Sequence, residues 1–553
     1  ITGDTRIYYV LERIRIITVK YVLLQHPFSF HDIRIFLGDF MLQIKDLSIY
    51  MKNDGRPLVE RLTINLNSND KVAVIGEEGN GKSTLLRAIY DVESISDYAV
   101  CEGAVFKKRC IIGYLPQLLE DKYLNRKLGE YFTLFHVTDA KNAGQYARLL
   151  TELGLEVGKE DYARLLSTFS GGEKIKIQLL SILLSSPDVL LLDEPTNDID
   201  IDTLVWLETF INTCRIPVMY VSHDEMLIEN TANVILHMEM HKRKSECSHT
   251  ISRLSYSEYI KVRKYNLEKQ DQIASMQRAE YAKQMERWKK IHDKVEKDQE
   301  NISRQDPESG RLLKKKMKSV KSQEKRFMRE KEDFTEFSDA EEAIFLRFYD
   351  GQYINTSKRV LDMELDYLKI GDKVLSADVK LYVKGGEHIG IYGKNGAGKT
   401  TLLRQILNHI VQDNNIRLGY MPQDYTDSMD NSLTCIEFLA PSGTKADITK
   451  ARQYMGGMKF TADEMIGPIS GLSGGQKAKL YLLKIVLDGC NVLVMDEPTR
   501  NLSPLSNPVI REKLKGFKGT IIAVSHDRKF LNEVCDKRYE LTDKGLFMTD
   551  MTW

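Results

Sequence analysis

Two glycine-rich segments of identical pattern constrain the fold of this chain more than any other feature. Residues 76–83 and 393–400 each fit G-x-x-x-x-G-K-[ST]. Each follows a short apolar run and precedes a stretch with helical character, which is the strand–loop–helix context that the pattern requires. The glycines allow backbone N–H groups to turn toward phosphate oxygens at the start of the helix. The chain is therefore predicted to contain two phosphate-binding α/β domains.

The two segments predict where a nucleotide and its metal ion bind. Lys82 and Lys399 are expected to contact the β- and γ-phosphates of ATP, while Ser83 and Thr400 bind Mg²⁺. The other predicted phosphate contacts are the loop glycines and the residue that follows each metal ligand: Gly76, Gly79, Gly81, Thr84, Gly393, Gly396, Gly398 and Thr401.

A buried apolar strand ending in two carboxylates follows in each half. The pairs are Asp193-Glu194 and Asp496-Glu497. The first carboxylate of each pair is expected to hold Mg²⁺, and the second to polarise the water that attacks the γ-phosphate. An isolated Asp-Glu pair is more often a solvated strand end, but its place downstream of a phosphate loop reverses that preference.

The repeat divides the chain. Apolar strand-like runs alternate with helical stretches in both halves, which predicts an α/β fold with largely parallel sheets. We assign 41–259 to the first phosphate-binding domain, 260–359 to a linker and 360–553 to the second such domain. Residues 1–40 are expected to be upstream sequence, with Met41 as the natural start; a genuine additional element is the alternative.

The linker is predicted to be an antiparallel α-helical hairpin. Tyr281, Met285, Trp288, Ile291 and Val295 form one amphipathic seam, and a return seam follows the turn predicted at 306–310. Residues 261–333 carry 22 Lys/Arg against 14 Asp/Glu, a net charge of +8, and 311–331 carry 10 against 2. Such a stripe favours nucleic-acid phosphates, although many lysine-rich helices are merely solvated faces. The predicted RNA-binding residues are Arg311, Lys314, Lys315, Lys316 and Lys318.

Composition points to the cytoplasm. The seven cysteines include no close C-x-x-C pair, which is typical of reduced thiols. No uncharged apolar run approaches the roughly 18 to 20 residues of a membrane-spanning helix, so neither a membrane segment nor a membrane partner is expected.

Further motifs carry a family resemblance. Ser170-Gly171-Gly172 and Ser473-Gly474-Gly475 resemble the signature sequence of ATP-binding cassettes. Gln117 and Gln423 resemble the glutamine loop, and His223 and His526, each in Val-Ser-His-Asp, resemble the switch histidine. The resemblance implies that the cassettes close head to tail within one monomer, with each ATP between one phosphate loop and the opposite signature serine. It also implies that the two glutamines help to bind Mg²⁺ and that both histidines are catalytic, alongside Glu194 and Glu497.

Paired cassettes with a helical hairpin linker resemble the ABC-F family of translation factors. That resemblance implies a ribosomal partner: the large subunit, its RNA and, as a further candidate, P-site tRNA, with the linker pointing toward the peptidyl-transferase centre. Residues 500–506 replace the usual T-N-x-L-D continuation, a variant associated with antibiotic-resistance members that protect ribosomes. A housekeeping factor that relieves stalled ribosomes, the ATPase subunit of a membrane transporter, and a DNA-binding or purely regulatory cassette protein are the alternatives.

Two expectations concern differences between the sites. Tyr50 is predicted to stack on adenine in the first cassette, where Ile370 takes the equivalent place in the second; a packed strand residue is the alternative for Tyr50. The Lys82 site is expected to be the weaker or slower, because its phosphate loop carries Glu77-Glu78 and because the loop that should face it has Arg500 and Ser503 where the first cassette has Asn197 and Asp200, so an orienting carboxylate is lost. Compensation of the two glutamates by the charge of Arg500 is the alternative.

Overall fold

The computed structural model describes residues 42–550 except 108–109, 136, 138–142, 242–244, 302–306, 333, 336–347, 349–352, 412 and 426–428. The segment 1–40, including its predicted role, lies outside the described residues. In the described part of the chain, no helix is both long and apolar enough to span a membrane.

The first cassette combines a six-stranded sheet with a three-stranded antiparallel sheet. The larger sheet has the order β5-β6-β7-β3-β8-β9, parallel except for the final pair, and the smaller has the order β2-β1-β4. The strands are β1 (Leu42–Met51), β2 (Pro57–Leu66), β3 (Lys71–Ile75), β4 (Ala99–Phe106), β5 (Ile112–Leu115), β6 (Val189–Asp193), β7 (Val218–Val221), β8 (Val234–His241) and β9 (Glu246–Ser252). The helices are α1 (Lys82–Tyr90), α2 (Asp121–Leu124), α3 (Leu128–Leu134), α4 (Ala143–Leu153), α5 (Gly171–Leu184), α6 (Ile201–Thr213) and α7 (Glu225–Thr231).

The linker region begins with two long helices, α8 (Tyr256–Glu300) and α9 (Pro307–Glu332). They run antiparallel: the Trp288 indole N–H donates to Val320 O (2.9 Å), and the Tyr281 ring meets Phe334 edge-on at 5.5 Å between centroids. At 1.5 Å per residue, the 45 residues of α8 extend about 68 Å. The predicted hairpin is therefore confirmed as a long helical insertion between the cassettes.

Two details of the predicted hairpin are wrong. Ile291 is 50% exposed, and His292 is the partly buried residue instead. A seam that continues over several turns repeats every 3.5 residues, so the step after Trp288 is four residues rather than three. The second helix also begins at Pro307, so that Gly310 is helical rather than part of the turn, because proline is well tolerated at the first helical position.

The second cassette repeats the larger sheet. Its strand order is β13-β14-β15-β12-β16-β17, again parallel except for the last pair, beside the antiparallel pair β10-β11. The strands are β10 (Arg359–Ile370), β11 (Lys373–Lys384), β12 (His388–Tyr392), β13 (Leu418–Met421), β14 (Val492–Asp496), β15 (Thr520–Val524), β16 (Lys537–Thr542) and β17 (Gly545–Thr549). The helices are α10 (Lys399–His409), α11 (Cys435–Leu439), α12 (Lys445–Gly457), α13 (Ala462–Ile466), α14 (Gly474–Leu487), α15 (Asn507–Lys515) and α16 (Arg528–Val534).

The central strands explain the continuous apolar runs in the sequence. Every residue of β3, β6, β12, β14 and β15 is buried, because helices cover both faces of a parallel sheet. The carboxyl ends of β3 and β6, and those of β12 and β14, therefore lie at one edge of each sheet, where the phosphate loops and the Asp-Glu pairs meet.

Buried charges join the two cassettes away from the phosphate loops. Arg511 on α15 forms a bidentate ion pair with Glu225 on α7, and the two side chains are only 3% and 4% exposed. Arg528 on α16 pairs with Glu208 on α6 of the first cassette. These contacts hold the cassettes against each other through fixed charges of the chain itself.

Candidate nucleotide sites

Both phosphate loops have the backbone geometry that their glycines permit. Gly76, Gly79 and Gly81 have φ values of 142°, 84° and 85°, and the three matching glycines of the second loop have 155°, 81° and 97°. These conformations strongly favour glycine. Lys82 Nζ donates to the backbone oxygens of Gly76 and Glu77, both at 2.8 Å, and thus lies across the loop that is predicted to hold phosphate.

The predicted metal ligands lie together in each half. Ser83 Oγ donates to Asp193 Oδ1 at 2.8 Å, and Thr400 Oγ1 donates to Asp496 Oδ2 at 3.0 Å. A hydroxyl beside a strand-end carboxylate is an oxygen-only donor set of the kind that Mg²⁺ prefers. The residues present therefore fit the ion, with phosphate oxygens of the nucleotide as further ligands.

The glutamates after the two aspartates have unusual backbone conformations. Glu194 has φ 48° and Glu497 has φ 51°, in the left-handed region that non-glycine residues rarely adopt. Such conformations persist only where the surroundings impose them, and they concentrate at functional sites. Both carboxylates follow a fully buried strand and point to the edge where the phosphate loop lies.

Glu194 is held by three side chains. Its carboxylate accepts hydrogen bonds from Gln117 Nε2 (2.7 Å) and Asn197 Nδ2 (2.6 Å), and His223 Nε2 lies 3.5 Å away. Burial alone would raise the pKa of Glu194, but His223, the charge of Lys82 and the Asn197 amide together lower it to about 2. A carboxylate stabilised in this way is a weak proton acceptor.

Glu497 has different surroundings. It accepts hydrogen bonds from the His526 backbone N–H (3.1 Å) and the Ser525 hydroxyl (3.3 Å), and Arg500 replaces the asparagine that serves Glu194. Burial raises the pKa of Glu497 to about 7, although the His526 N–H and the charge of Lys399 act against it. Burial also lowers the pKa of His526 to about 3. The two glutamates are therefore not chemically equivalent.

A cavity of about 400 Å³ lies at the second phosphate loop. It brings together the predicted site residues Lys399, Thr400, Thr401, Gln423, Asp496, Glu497 and His526. Ile370 also lines it, and its expected aliphatic contact to adenine stays a prediction; Asn197 and Asp198 reach the cavity from the first cassette. Ser170 is not among its lining residues; the Ser170 hydroxyl and backbone N–H instead bond to Glu173 in a capping box.

A second cavity, of about 290 Å³, lies where the first phosphate loop meets the opposite signature segment. Its lining includes Glu77 and Glu78 from the first cassette and Ser473 and Gly475 from the second. The structure thus brings the signature of the second cassette to the Lys82 site, in the head-to-tail sense. Tyr50 is a half-buried residue of β1 beside Val100, so its stacking role stays a prediction.

The signature glycines are required by close packing within their own cassettes. A Cβ atom on Gly171 would lie 2.1 Å from Asp198 O, and one on Gly475 would lie 2.6 Å from Asn501 O. Each signature helix therefore packs directly on the loop that follows its own Asp-Glu pair. A movement of that loop must be accompanied by a movement of the helix.

Three functional contacts were not anticipated from the sequence. Arg500 lines the Lys399 cavity rather than facing Lys82, and its guanidinium pairs with Asp198 at 2.7 Å. The Tyr114 hydroxyl donates to Asp193 Oδ2 at 3.2 Å. His223 Nδ1 lies 3.0 Å from Leu502 O of the second cassette. Only Tyr114 carried a sequence signal, because it belongs to the Gly-Tyr-Leu-Pro-Gln run that contains Gln117.

The predicted RNA-binding side chains share one part of the hairpin. Arg311, Lys314, Lys315, Lys316 and Lys318 are all exposed on α9, within its first three turns or so. They therefore lie at the end of the hairpin that is farther from the cassettes.

The unequal glutamates predict unequal sites. In single-turnover measurements we expect Glu497→Gln to remove more than half of the ATP hydrolysis and Glu194→Gln to remove less, because Glu497 is the better proton acceptor. The two substitutions are matched controls for each other. Equal losses, or a larger loss from Glu194→Gln, would contradict the asymmetry.

Comparisons with known proteins agree with this geometry. A family model described as "ABC transporter" matches residues 59–197 and 376–500, once in each cassette. The chain is 28% identical over 547 residues to "ABC transporter F family member 2" of Arabidopsis thaliana, covering 89% of this chain and 75% of that protein. It is also 28% identical over 554 residues to "Putative ATP-binding protein YdiF" of Bacillus subtilis (strain 168), covering 92% and 80%.

Solved structures show the same overall arrangement. An "RNase-L Inhibitor" structure superposes with a TM-score of 0.56 at 16% identity, covering 91% of this chain and 90% of the other. A structure of the complex of an archaeal ribosomal stalk protein with the archaeal ribosome recycling factor aABCE1 gives 0.55 at 15% identity, covering 91% and 90%. At these identities the likeness establishes the tandem-cassette fold.

Proposed function

Because this chain belongs to the ABC-F family of tandem ATP-binding-cassette ATPases, we propose that it uses ATP to control the binding of its α8–α9 hairpin to the ribosome. The observation that carries the proposal is the hairpin itself. It extends about 68 Å along α8 and exposes a cluster of cations at its far end. An ATPase subunit that acted only on a membrane-bound partner protein would not need a helical extension of this length.

The residues of each cassette have distinct roles in ATP hydrolysis. Lys82 and Lys399 stabilise the β- and γ-phosphates, and the Ser83–Asp193 and Thr400–Asp496 pairs would hold Mg²⁺, which would neutralise phosphate charge when bound. Glu194 and Glu497 orient and deprotonate the attacking water.

The other motifs complete the two sites. Gln117 and Gln423 would supply further ligands for Mg²⁺, and His223 and His526 lie beside the two glutamates. When the cassettes close on ATP, the signature residues Ser170 and Ser473 would contact the nucleotide bound to the opposite phosphate loop; Ser473 already lines the cavity at the first loop. Thr84 and Thr401 lie in the first turn of α1 and α10, and we therefore expect each of them to contact a phosphate group of the nucleotide.

The basic cluster on α9 supplies affinity for ribosomal RNA. Phosphate contacts release counterions, so they bind strongly and depend steeply on salt. Two solved structures of similar fold carry titles that name ribosomal partners: the complex with the stalk protein and a model of ribosome-bound archaeal Pelota and ABCE1. These titles describe those proteins, and they support the proposal through the shared tandem-cassette arrangement.

Within this role we propose protection of the ribosome from antibiotics, by insertion of the hairpin toward the peptidyl-transferase centre. The supporting observation is the replaced segment 500–506, in which Arg500 contacts Asp198 across the cassettes. The test is the drug susceptibility of a sensitive bacterium that expresses the protein or its Glu194→Gln/Glu497→Gln variant. Unchanged susceptibility across ribosome-targeting drugs would instead support a housekeeping role on stalled ribosomes.

Removing the cluster's charge should flatten the salt dependence of ribosome binding. Replacing Lys314, Lys315, Lys316 and Lys318 by alanine should reduce the slope of log K against log salt by about 0.7 to 0.9 for each phosphate that the protein no longer neutralises. Filter-binding measurements at several salt concentrations provide the slope. ATP hydrolysis without ribosomes should be unaffected, because the four lysines lie on the hairpin and not at either nucleotide cavity.

A matched control uses four exposed lysines of α8 nearer the first cassette: Lys261, Lys264, Lys269 and Lys283. Alanine at these four positions removes the same amount of charge, but the slope of log K against log salt should stay close to the wild-type value. If both variants change the salt dependence of ribosome binding equally, the α9 lysines are solvent-exposed charges with no specific role in binding RNA.

A further inference from the structure

A carboxylate of the first phosphate loop occupies the start of the opposite signature helix. Glu78 Oε2 accepts a hydrogen bond of 2.6 Å from the Gly475 backbone N–H, in the first turn of α14. A Cβ atom on Gly474 would lie 3.3 and 3.4 Å from the two Glu78 carboxylate oxygens, so the carboxylate lies directly over this turn. An anion at this position is favoured by the helix dipole and by a charge-assisted hydrogen bond.

The neighbouring residue strengthens this contact. Glu77 Oε1 lies 2.7 Å from Lys479 Nζ, one turn further along α14. The Lys479 side chain is only 9% exposed, so this ion pair is better protected from solvent than most surface pairs. Two consecutive glutamates of one cassette therefore bind the first turns of a helix in the other.

The second phosphate loop makes no comparable contact among the hydrogen bonds found in the described residues. It has Lys394-Asn395 where the first has Glu77-Glu78. The Asn395 side chain donates to Asp198 O at 2.6 Å, and its backbone N–H to Asp200 Oδ2 at 3.3 Å. Asn395 thus contacts the loop before α6 rather than a signature helix, and the Glu78 contact distinguishes the Lys82 site.

We propose that Glu78 sets the discrimination between ATP and ADP at the Lys82 site, by occupying the N–H group of α14 that would otherwise receive the terminal phosphate of ATP. ATP must displace the Glu78 carboxylate to reach Gly475, whereas ADP lacks the phosphate that would compete. Because Glu78 is exposed, its carboxylate can turn into solvent without a desolvation cost. The Glu78 carboxylate therefore occupies the Gly475 N–H before a nucleotide binds. It thereby lowers the affinity of the Lys82 site for ATP relative to its affinity for ADP.

The proposal rests on ATP use by the cassettes and not on the ribosome. The test uses the full chain with Lys399→Ala, which weakens the second site, and Glu194→Gln, which stops turnover at the first. Calorimetric titration with Mg-ATP and separately with Mg-ADP then reports the Lys82 site. Glu78→Asn is the informative substitution, because it installs the residue that the second loop already carries at Asn395.

Glu78→Asn should raise the affinity for ATP on the order of three- to tenfold and change that for ADP less than about twofold, since ATP no longer competes with an exposed charge-assisted hydrogen bond. Glu77→Ala is the matched control in the same loop. It breaks the Lys479 pair but leaves Glu78 in place, so the ratio of ATP to ADP affinity should stay at the wild-type value.

Hydrogen exchange provides an independent readout in the absence of nucleotide. The Gly475 amide should be protected in the wild-type chain and exchange faster in Glu78→Asn, while α5 of the first cassette should not change. An unaltered ATP-to-ADP ratio, a fall in ATP affinity, or unaltered Gly475 exchange would each overturn the proposal. Because no ribosome is present, none of these results bears on the ribosomal role.

Discussion

Replacing both Glu194 and Glu497 by glutamine should lower ATP turnover by about 10²- to 10⁴-fold while ATP stays bound. Glutamine keeps the size and the acceptor oxygen of glutamate but cannot accept the proton of the attacking water. Both residues have positive φ values and follow buried strands, so an isosteric replacement should leave the backbone conformation unchanged. Turnover is measured by phosphate release, and binding by retention of labelled ATP.

The control for this prediction is Lys82→Ala/Lys399→Ala. It removes the cations that stabilise the phosphates, and should therefore abolish binding together with turnover. If the double glutamine variant keeps a substantial part of wild-type turnover, Glu194 and Glu497 are not the catalytic bases. If it loses ATP binding as well, their role is structural.

Replacing Arg511 by alanine should destabilise the chain by up to about 3–5 kcal/mol, because it removes the bidentate partner of the buried Glu225 carboxylate and leaves that carboxylate with the longer contact to Lys529 at 3.3 Å. Both side chains are nearly inaccessible to solvent, and the pair crosses between the cassettes. Urea denaturation followed by tryptophan fluorescence provides the free energy of unfolding. The substitution should also weaken the association of the cassettes, which would be seen as faster hydrogen exchange in α7 and α15.

An exposed pair provides the matched control. Arg326 and Glu330 on α9 are 66% and 49% exposed, so Arg326→Ala should cost no more than about 1 kcal/mol. Combining Arg511→Met with Glu225→Gln should recover much of the stability that Arg511→Ala removes, since no buried charge is left unpaired. If Arg511→Ala and Arg326→Ala cost the same, the buried pair does not join the cassettes as described.

The sequence was sufficient for those features that local pattern determines. The phosphate loops, the strands before them and the Asp-Glu pairs each follow from a few consecutive residues, and the topology of parallel sheets brings them together. The helical hairpin also followed from periodicity, but its detail did not. After Trp288, the next residue that faces the other helix is His292 and not Ile291. That choice depends on how two helices pack against each other over many turns, which the pattern of a single helix does not specify.

The contacts between the cassettes could not be predicted in the same way. Arg500 was expected beside Lys82 but lines the Lys399 cavity, because the direction of its side chain depends on Asp198 of the other cassette. Glu78 was recognised as unusual from its charge, yet its partner Gly475 is 397 positions away. Such pairs arise only when the two folded domains meet, so no local pattern records them.

Sedimentation with purified ribosomes tests the central claim most directly. The Glu194→Gln/Glu497→Gln protein should move with ribosomes in the presence of ATP, and it should stay in the supernatant with ADP or when Lys82 and Lys399 are replaced by alanine. The α9 alanine variant in the same background should be released at lower salt. If the ATP-bound double variant does not sediment with ribosomes, or does so equally with ADP, then ATP does not control ribosome binding and the proposed function is wrong.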